Sequence, residues 1–490
     1  MTSVDDSVTR HVHVANAAGL EEVVTTAVED LSFPLTHYWI VSSHNTYLTE
    51  DQIKGPASTC TYMLFLKRYR GGCVEIDPGK VSARQLPDGT TLQDVTVTHV
   101  GTPTGTIWLS DLLSEMRQWV DSVRHTDEVV GPIILSFDNK KIKNATDQGV
   151  IWQLLDKYIN ISPTGRSCAV AGEECKWYLD PKSVDVSNHA NLTPQALKGK
   201  FIVKWAECAR VDRAGVCSDP AAGKGLIPRH IVDAATLPPE RQPDLSNAPP
   251  STERFVHMPK SKTCDLHSKA CHDASIFWQV RSTHHEYKYS NINMAIVDNA
   301  KHNFIRVFPN PLEFAKIKSG NYPQTGSWLH GAQMVSINIQ KQDRYWQVND
   351  TMFSHSPCRL KPLWMRTDVK TPPMRQTLAL KRLQEDGAAQ LHFFHPSGET
   401  KMGEMMVNNH LVFRNVYPDA CIMYVESTDG FEGAVEIPPN RHTLSGIVNL
   451  KLTLWNRPKT TGIKYMGPNC AFSSLREMVV PLRFMWSTAA

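Results

Sequence analysis

From Tyr38 to Trp205 the chain alternates short apolar runs with amphipathic ones. "HYWIVSS" reads as a strand, "CTYMLFLKRYR" as a helix and "GGCVEIDP" as a strand. "DVTVTHV" reads as a strand, "WLSDLLSEMRQWVDSVR" as a long helix, "PIILSFDN" as a strand, "VIWQLLDKYI" as a helix and "KFIVKWA" as a strand. Strands separated by helices line up parallel, so this rhythm implies an α/β sheet, open or closed into a barrel. It breaks after Trp205. Eight prolines, at 220, 228, 238, 239, 243, 249, 250 and 259, make residues 207–270 read as a linker or long insertion. "NFIRVFP" and "AQMVSINIQ" then resume the strands. From about residue 378 the pattern becomes all-β: "AQLHFFH", "HLVFRNVY", "ACIMYVES", "GAVEIPP" and "VNLKLTLWN" suggest a separate antiparallel sandwich. At the other end, residues 15–31 read as a short amphipathic helix with Leu20, Val23, Val24, Ala27 and Val28 on one side.

The ends of the strands carry the chemistry. "SSHNTYLTED" follows the apolar "YWIV" directly, and a merely structural strand has no need of a histidine and an amide at its mouth. In a parallel barrel, side chains at the carboxyl ends of strands face the active site. The first strand ends at His44 and Asn45, the second holds Glu75 and Asp77, the third ends at His99, the fourth at Asp138 and Asn139, the fifth at Lys204. Glu75 and Asp77 are two apart on a strand and point to one side. Asn45, Glu75, Asp77 and Asp138 offer only oxygen ligands, which suits a hard cation such as calcium. Two histidines suit proton transfer or stabilisation of a developing oxyanion. Lys204 and Arg306 suit an anionic substrate. Any one of these residues alone would be ordinary; together they fit phosphodiester cleavage.

The chain has 490 residues, enough for two or three domains. Its net charge of +3 is too small to argue for a nucleic-acid partner. A local basic patch against an anionic lipid stays compatible with it. The N-terminus lacks a secretory pattern, and no stretch approaches the ~20 apolar residues of a membrane span. The expectation is a cytoplasmic protein whose eleven scattered cysteines are reduced thiols.

The strand-end motifs resemble one family. "PLTHYWIVSSHNTYLTEDQI", "GGCVEIDPG", "VTHVGTPTGTIWLSDLL", "PIILSFDN" and "LKGKFIVKW" resemble the X region of eukaryotic phosphoinositide-specific phospholipase C. "FIRVFPNP", "GNYPQTGSWLHGAQMVSINIQ" and "CRLKPLWMR" resemble its Y region, and "YMGPNCAFSSLREMVVPLR" is similar to the end of the C2 domain that follows Y. The resemblance implies a distorted TIM-type barrel split into X and Y halves, followed by an all-β C2-like sandwich. The expected plan is an N-terminal arm (1–33), the X half (34–206), the Pro-rich linker (207–270), the Y half (271–372) and the C2-like region (378–488). Fewer residues precede X than the family's pleckstrin-homology domain or EF-hands need, and the linker has no acidic run.

The resemblance also assigns roles. His44 would stabilise the charged phosphorane. Asn45, Glu75, Asp77 and Asp138 would hold calcium, and a carboxylate, Glu75, would take the inositol 2-hydroxyl proton. His99 would protonate the departing diacylglycerol oxygen and then help water open a cyclic phosphodiester. Lys204 and Arg306 would bind ring phosphates, Phe308 would pack on the inositol where the family has tyrosine, and Ser282 or Thr283 would supply the Y-region hydroxyl. The implied partners are a phosphoinositide lipid and the inner face of a membrane, met peripherally. Asp138 stands where the family has glutamate, Lys140 where it has histidine, Val100 where it has glycine, and Ala206 where it has a lysine for the 5-phosphate. These departures imply a flatter preference for the bisphosphate. They also motivate an alternative, a phospholipase C-like binding or scaffold protein with impaired catalysis, although both histidines are kept. A metal-independent bacterial-type lyase would need neither the oxygen ligands nor the Y motifs. Ile53 and Leu312 fall at the rim, where the family carries membrane-dipping apolar residues.

Overall fold

The structure is a computed structural model. It describes residues 10–15, 21–26, 29–99, 102–123, 131–139, 141–142, 145–159, 192–207, 258–259, 262–264, 277–282, 294–302, 304–309 and 319–366, together with the C-terminal strands between 376 and 488. Val100, Lys140, Thr283 and Leu312 lie outside the described residues.

The N-terminal region departs from expectation. β1 (Arg10–Ala15) and β2 (Glu21–Thr26) form an antiparallel pair with Val12 opposite Val24, so residues 21–26 are strand and not helix. The physical reason lies in Val23, Val24, Thr25 and Thr26: four consecutive β-branched side chains suit a strand better than a helix. The alternating "HVHV" supplies the partner.

The barrel strands follow the sequence rhythm. β3 (Tyr38–Ser43) is buried along its whole length, as a strand covered on both faces must be. α1 (Thr59–Tyr69) is capped by Ser58 and ends at Arg70, whose φ of 61° turns the chain into β4 (Gly72–Ile76). Next come β5 (Pro78–Gln85), β6 (Thr91–Val97), β7 (Ile107–Trp108), α2 (Leu109–Val123), β8 (Ile133–Asn139), α3 (Ala145–Tyr158) and β9 (Phe201–Glu207). The second half holds β10 (Met258–Pro259), β11 (Lys262–Cys264), β12 (Phe277–Ser282), α4 (Met294–His302), β13 (Phe304–Pro309), α5 (Thr325–Leu329), β14 (Met334–Ile337), α6 (Arg344–Met352) and β15 (Cys358–Leu360).

The main sheet runs β10-β9-β8-β4-β3-β14-β13-β12-β11, parallel throughout, with β15 antiparallel beside the start of β3. A flat sheet of this many strands would hold its two ends about 38 Å apart. The end strands here are β10 and β11, and Pro259 and Lys262 are three residues apart, at most about 11 Å of chain. The sheet must therefore roll into a barrel and meet itself at this step. The closing residues fall inside the Pro-rich stretch expected to be a linker, and here they supply strands.

One strand was expected in the barrel and is not there. β6 pairs antiparallel with β5 and β7 in a small separate sheet. The turn "LPDGT" explains it. Gly89 sits at φ +83°, and Asp88 accepts from the Thr90 backbone, so β5 and β6 close as a hairpin before β6 can reach the barrel wall. Val95 and Val97 are buried in the core shared with α2 and α3.

The C-terminal region is all-β. β16 (Gln376–Arg382), β17 (Ala389–His395), β18 (Gly398–Lys401), β19 (Met406–Val407), β20 (His410–Val416), β21 (Cys421–Ser427), β22 (Phe431–Ile437), β23 (Ser445–Trp455) and β24 (Ser474–Thr488) form one antiparallel path. Leu482, Phe484 and Trp486 of β24 are buried at every second position, and Phe484 faces Leu380 across the ladder. Ile422 and Tyr424 of β21 belong to the barrel's own core cluster, so this sheet packs on the barrel.

Candidate functional site

The loop "SSHNTY" leaves β3 and is stapled to β4. The Glu75 backbone N–H donates to Thr46 Oγ1 at 2.9 Å, and the Asn45 N–H donates to Glu75 Oε2 at 2.7 Å. Asn45 takes a φ of +48°, a left-handed conformation that asparagine tolerates better than most side chains. The quoted stretch carries polar side chains because its backbone and its hydroxyls lock the carboxylates of the next strand.

Register explains the rest of the layer. Glu75 on β4 is level with Ser136 on β8 and with Lys204 on β9. Alternation then sends Asp77 and Asp138 to the same side, one step nearer the mouth. Asp138 and Ala206 are direct partners in the ladder. Glu75, Asp77 and Asp138 are all buried, and each offers an oxygen within 4.8 Å of the others. The shorter Asp138 side chain thus reaches the group. Tyr47 donates to Asp77 Oδ2 at 2.9 Å and lies 3.1 Å from Asn45 Oδ1, which brings the fourth expected ligand beside the three carboxylates.

Burial would raise the Glu75 carboxyl above its ordinary value. The Arg306 guanidinium, His44 and the Asn45 amide outweigh that cost, and Glu75 is held below the usual carboxylate range. Arg306, fully buried on β13, lies 3.4 Å from Glu75 Oε1 and donates to the Ser43 carbonyl at 3.3 Å. Its Nε and Nη1 make no hydrogen bond among the described residues. Lys204 is also fully buried. Phe308 stacks on His44 with ring planes 3° apart and centroids at 6.1 Å. Ser282 ends β12 directly opposite Pro309, one residue beyond Phe308. Its backbone is therefore at the mouth.

His44 has a partner that sequence reasoning missed. Its Nδ1 lies 3.1 Å from Asn338 Oδ1, while its Nε2 is 3.8 Å from Glu75 Oε2. Asn338 spends its amide N–H on the Gly320 carbonyl, which leaves Oδ1 to accept from the histidine. The rule used for the other strands would have found it, because Asn338 is the first residue past β14. Although β6 is outside the barrel, the Thr98 N–H donates to the Asp77 carbonyl at 3.1 Å, which ties the end of β6 to the end of β4 and sets the residue before His99 beside Asp77. His99 Nδ1 is 2.7 Å from Thr102 Oγ1, and Gln52 links this loop to Asn45. Thr102 carries no sequence signal of its own. Ile53 is half-buried in the turn beside Gln52. Cys60 is disulfide-bonded, against the expectation of reduced thiols throughout, while Cys73 and Cys358 are free and buried.

Three buried carboxylates this close repel one another unless a cation joins them. All-oxygen donors at this spacing fit a calcium ion with ligands at about 2.3–2.6 Å. Beside them stand the His44 imidazole and the Arg306 guanidinium, a set suited to an anionic substrate.

The comparisons agree with that geometry. Residues 31–207 match the family described as "Phosphatidylinositol-specific phospholipase C, X domain", and residues 253–361 match its Y domain. The chain is 28% identical over 357 residues to "1-phosphatidylinositol 4,5-bisphosphate phosphodiesterase delta-4" of Xenopus laevis, covering 69% of this chain and 41% of that protein. It is 27% identical over 354 residues to human "Inactive phospholipase C-like protein 2", covering 70% of this chain and 28% of that one. The chain thus spans less than half the length of these relatives. The crystal structure of L. pealei PLC21 superposes with a TM-score of 0.55 at 18% identity, covering 94% of this chain and 57% of that one, which shows the shared fold. The barrel, its strand-end residues and both matched regions place this chain in the phosphatidylinositol-specific phospholipase C family.

Proposed function

We propose that the chain is a calcium-dependent phosphoinositide phospholipase C, acting peripherally at the inner face of a membrane and releasing diacylglycerol and inositol phosphates. One observation carries this reading: Glu75, Asp77 and Asp138 converge within 4.8 Å beside His44 and Arg306. Asn45, Glu75, Asp77 and Asp138 would hold calcium, which when bound lowers the pKa of the inositol 2-hydroxyl. Glu75, kept ionised by its surroundings, accepts that hydroxyl proton. The freed oxygen attacks phosphorus, and His44 stabilises the charge that builds there. His99 gives a proton to the departing diacylglycerol oxygen. It then takes one from the water that opens the cyclic phosphodiester. Lys204 and Arg306 clamp ring phosphates, with the Arg306 Nε and Nη1, which make no hydrogen bond among the described residues, able to donate to phosphate oxygens. Phe308 and Ser282 line the inositol. No helix among the described residues is long and apolar enough to cross a membrane.

The inactive relative favours a second reading, a phosphoinositide-binding scaffold with impaired catalysis. Against it stand His44 and His99, both present and both oriented by neighbours. Release of inositol phosphates from phosphoinositide vesicles separates the two. Turnover that falls about 100-fold or more in His44→Ala and in His99→Ala supports the enzyme. Tight vesicle binding with no turnover in the wild type supports the scaffold.

A further inference from the structure

His99 sits in a threonine-rich loop whose hydroxyls hold it at two points. Its backbone N–H donates to Thr104 Oγ1 at 3.2 Å, and its ring Nδ1 lies 2.7 Å from Thr102 Oγ1. Thr102 Oγ1 is also 2.8 Å from the backbone carbonyl oxygen of Gln52. A carbonyl oxygen cannot donate, so the single hydroxyl proton of Thr102 points at Gln52. What remains on Thr102 is a lone pair, and only a protonated Nδ1 can bond to it. The reverse assignment would leave the Thr102 and Gln52 oxygens facing each other at 2.8 Å with no proton between them.

Gln52 is itself fixed. Asp51 Oδ1 accepts from the Ile53 and Lys54 backbones at 2.8 and 2.9 Å, and the Gly55 N–H donates to the Asp51 carbonyl. The Gly55 carbonyl accepts from the Gly105 N–H at 3.1 Å, which zips this turn to the histidine loop. On its other side the Gln52 side chain accepts from Asn45 Nδ2 at 3.2 Å.

We propose that Thr102 is a positioning residue that holds neutral His99 as the Nδ1–H tautomer, with the Gln52 carbonyl fixing the direction of the Thr102 hydroxyl. This rests on the reading of His99 as the group that protonates the leaving oxygen. Nε2 is then the one ring atom that gains and loses a proton at the site. The imidazolium gives its Nε2 proton to the diacylglycerol oxygen and becomes the neutral Nδ1–H ring, whose Nε2 lone pair afterwards takes a proton from water, so the cycle closes with no rotation of the ring. The partner of Nδ1 is an uncharged hydroxyl, which orients the ring without adding charge beside the carboxylates.

The test is nitrogen-15 NMR of the full chain with labelled histidine at a pH where His99 is neutral, its signals identified by their loss in His99→Gln. The expected wild-type result is a protonated Nδ1 and an unprotonated Nε2. In Thr102→Val the Nδ1 proton loses its acceptor and the ring should pass to the Nε2–H form. kcat should fall about tenfold with KM little changed. Thr102→Ser keeps the hydroxyl and should restore both the tautomer and kcat. A wild-type His99 protonated at Nε2, or a Thr102→Val variant that keeps the Nδ1 proton, overturns the proposal. The NMR readout needs no turnover. A correct tautomer in a chain that cleaves no phosphoinositide would support the positioning role and sink the proposed reaction instead.

Discussion

Lys361 follows β15 and is fully buried, with Nζ donating to the Thr36 carbonyl at 2.7 Å. Burial alone pushes its pKa well below the ordinary lysine value. The unfolded chain keeps this proton up to about pH 10.4. Between the folded value and that limit the folded state binds fewer protons, so this residue makes stability rise with pH and fall as pH drops. Thr36 O also accepts from Gln333 Nε2, so removing the amine leaves that carbonyl satisfied. Lys361→Met should therefore be at least as stable as the wild type at pH 7. Any advantage should shrink with rising pH, by about 1.4 kcal/mol per unit within the window. Urea denaturation of both proteins at several pH values checks this, and a strongly destabilised Lys361→Met at pH 7 would contradict it. Lys361 carried no sequence signal, because nothing in "CRLKPLWMR" marks one lysine as buried. The strand-end residues were legible for the opposite reason: alternation on a parallel strand fixes where Glu75, Asp77, Asp138 and Lys204 point before any coordinates exist. Asn338 stands at a strand end, where the same rule applies, whereas Thr102 meets Gln52 across 50 residues, a contact that no local pattern encodes.

At the scale of elements, the long buried strands and their helices were readable because their apolar runs match a period. The β5–β6 hairpin was misread because β6 has barrel-like apolar content, and only its "PDGT" turn betrays the antiparallel partner. The N-terminal segment was misread because its apolar positions fit a helical face while its β-branched run favours a strand. The loops between elements are where glycine decides. A Cβ on Gly55 would stand 2.2 Å from the Asp51 carbonyl oxygen, inside the turn that fixes Gln52. Gly55→Ala should open that turn and cost about 1–3 kcal/mol of stability. Through Gln52 and Thr102 it should also lower turnover. Full activity and unchanged denaturation in Gly55→Ala would mean that the turn does not hold the histidine loop.

Over the whole molecule, Arg359 joins three parts of the chain. It pairs with Glu29 at 2.9 Å ahead of the barrel and forms a bidentate pair with Glu436 on β22. Both pairs are only partly exposed, and the bidentate geometry is the kind that contributes measurably. Arg359→Met should lower stability by about 1–2 kcal/mol in urea denaturation. No loss would mean that the apolar contacts of Ile422 and Tyr424 suffice to hold the C-terminal sheet on the barrel. The barrel's closure was not legible in the sequence, since its two end strands are two- and three-residue pieces set in a Pro-rich stretch. The most direct test of the central claim is hydrolysis of phosphatidylinositol, its 4-phosphate and its 4,5-bisphosphate in vesicles, with free calcium and with excess chelator. The account predicts inositol phosphate release that depends on calcium and is abolished by the chelator. Equal turnover in both conditions would contradict it.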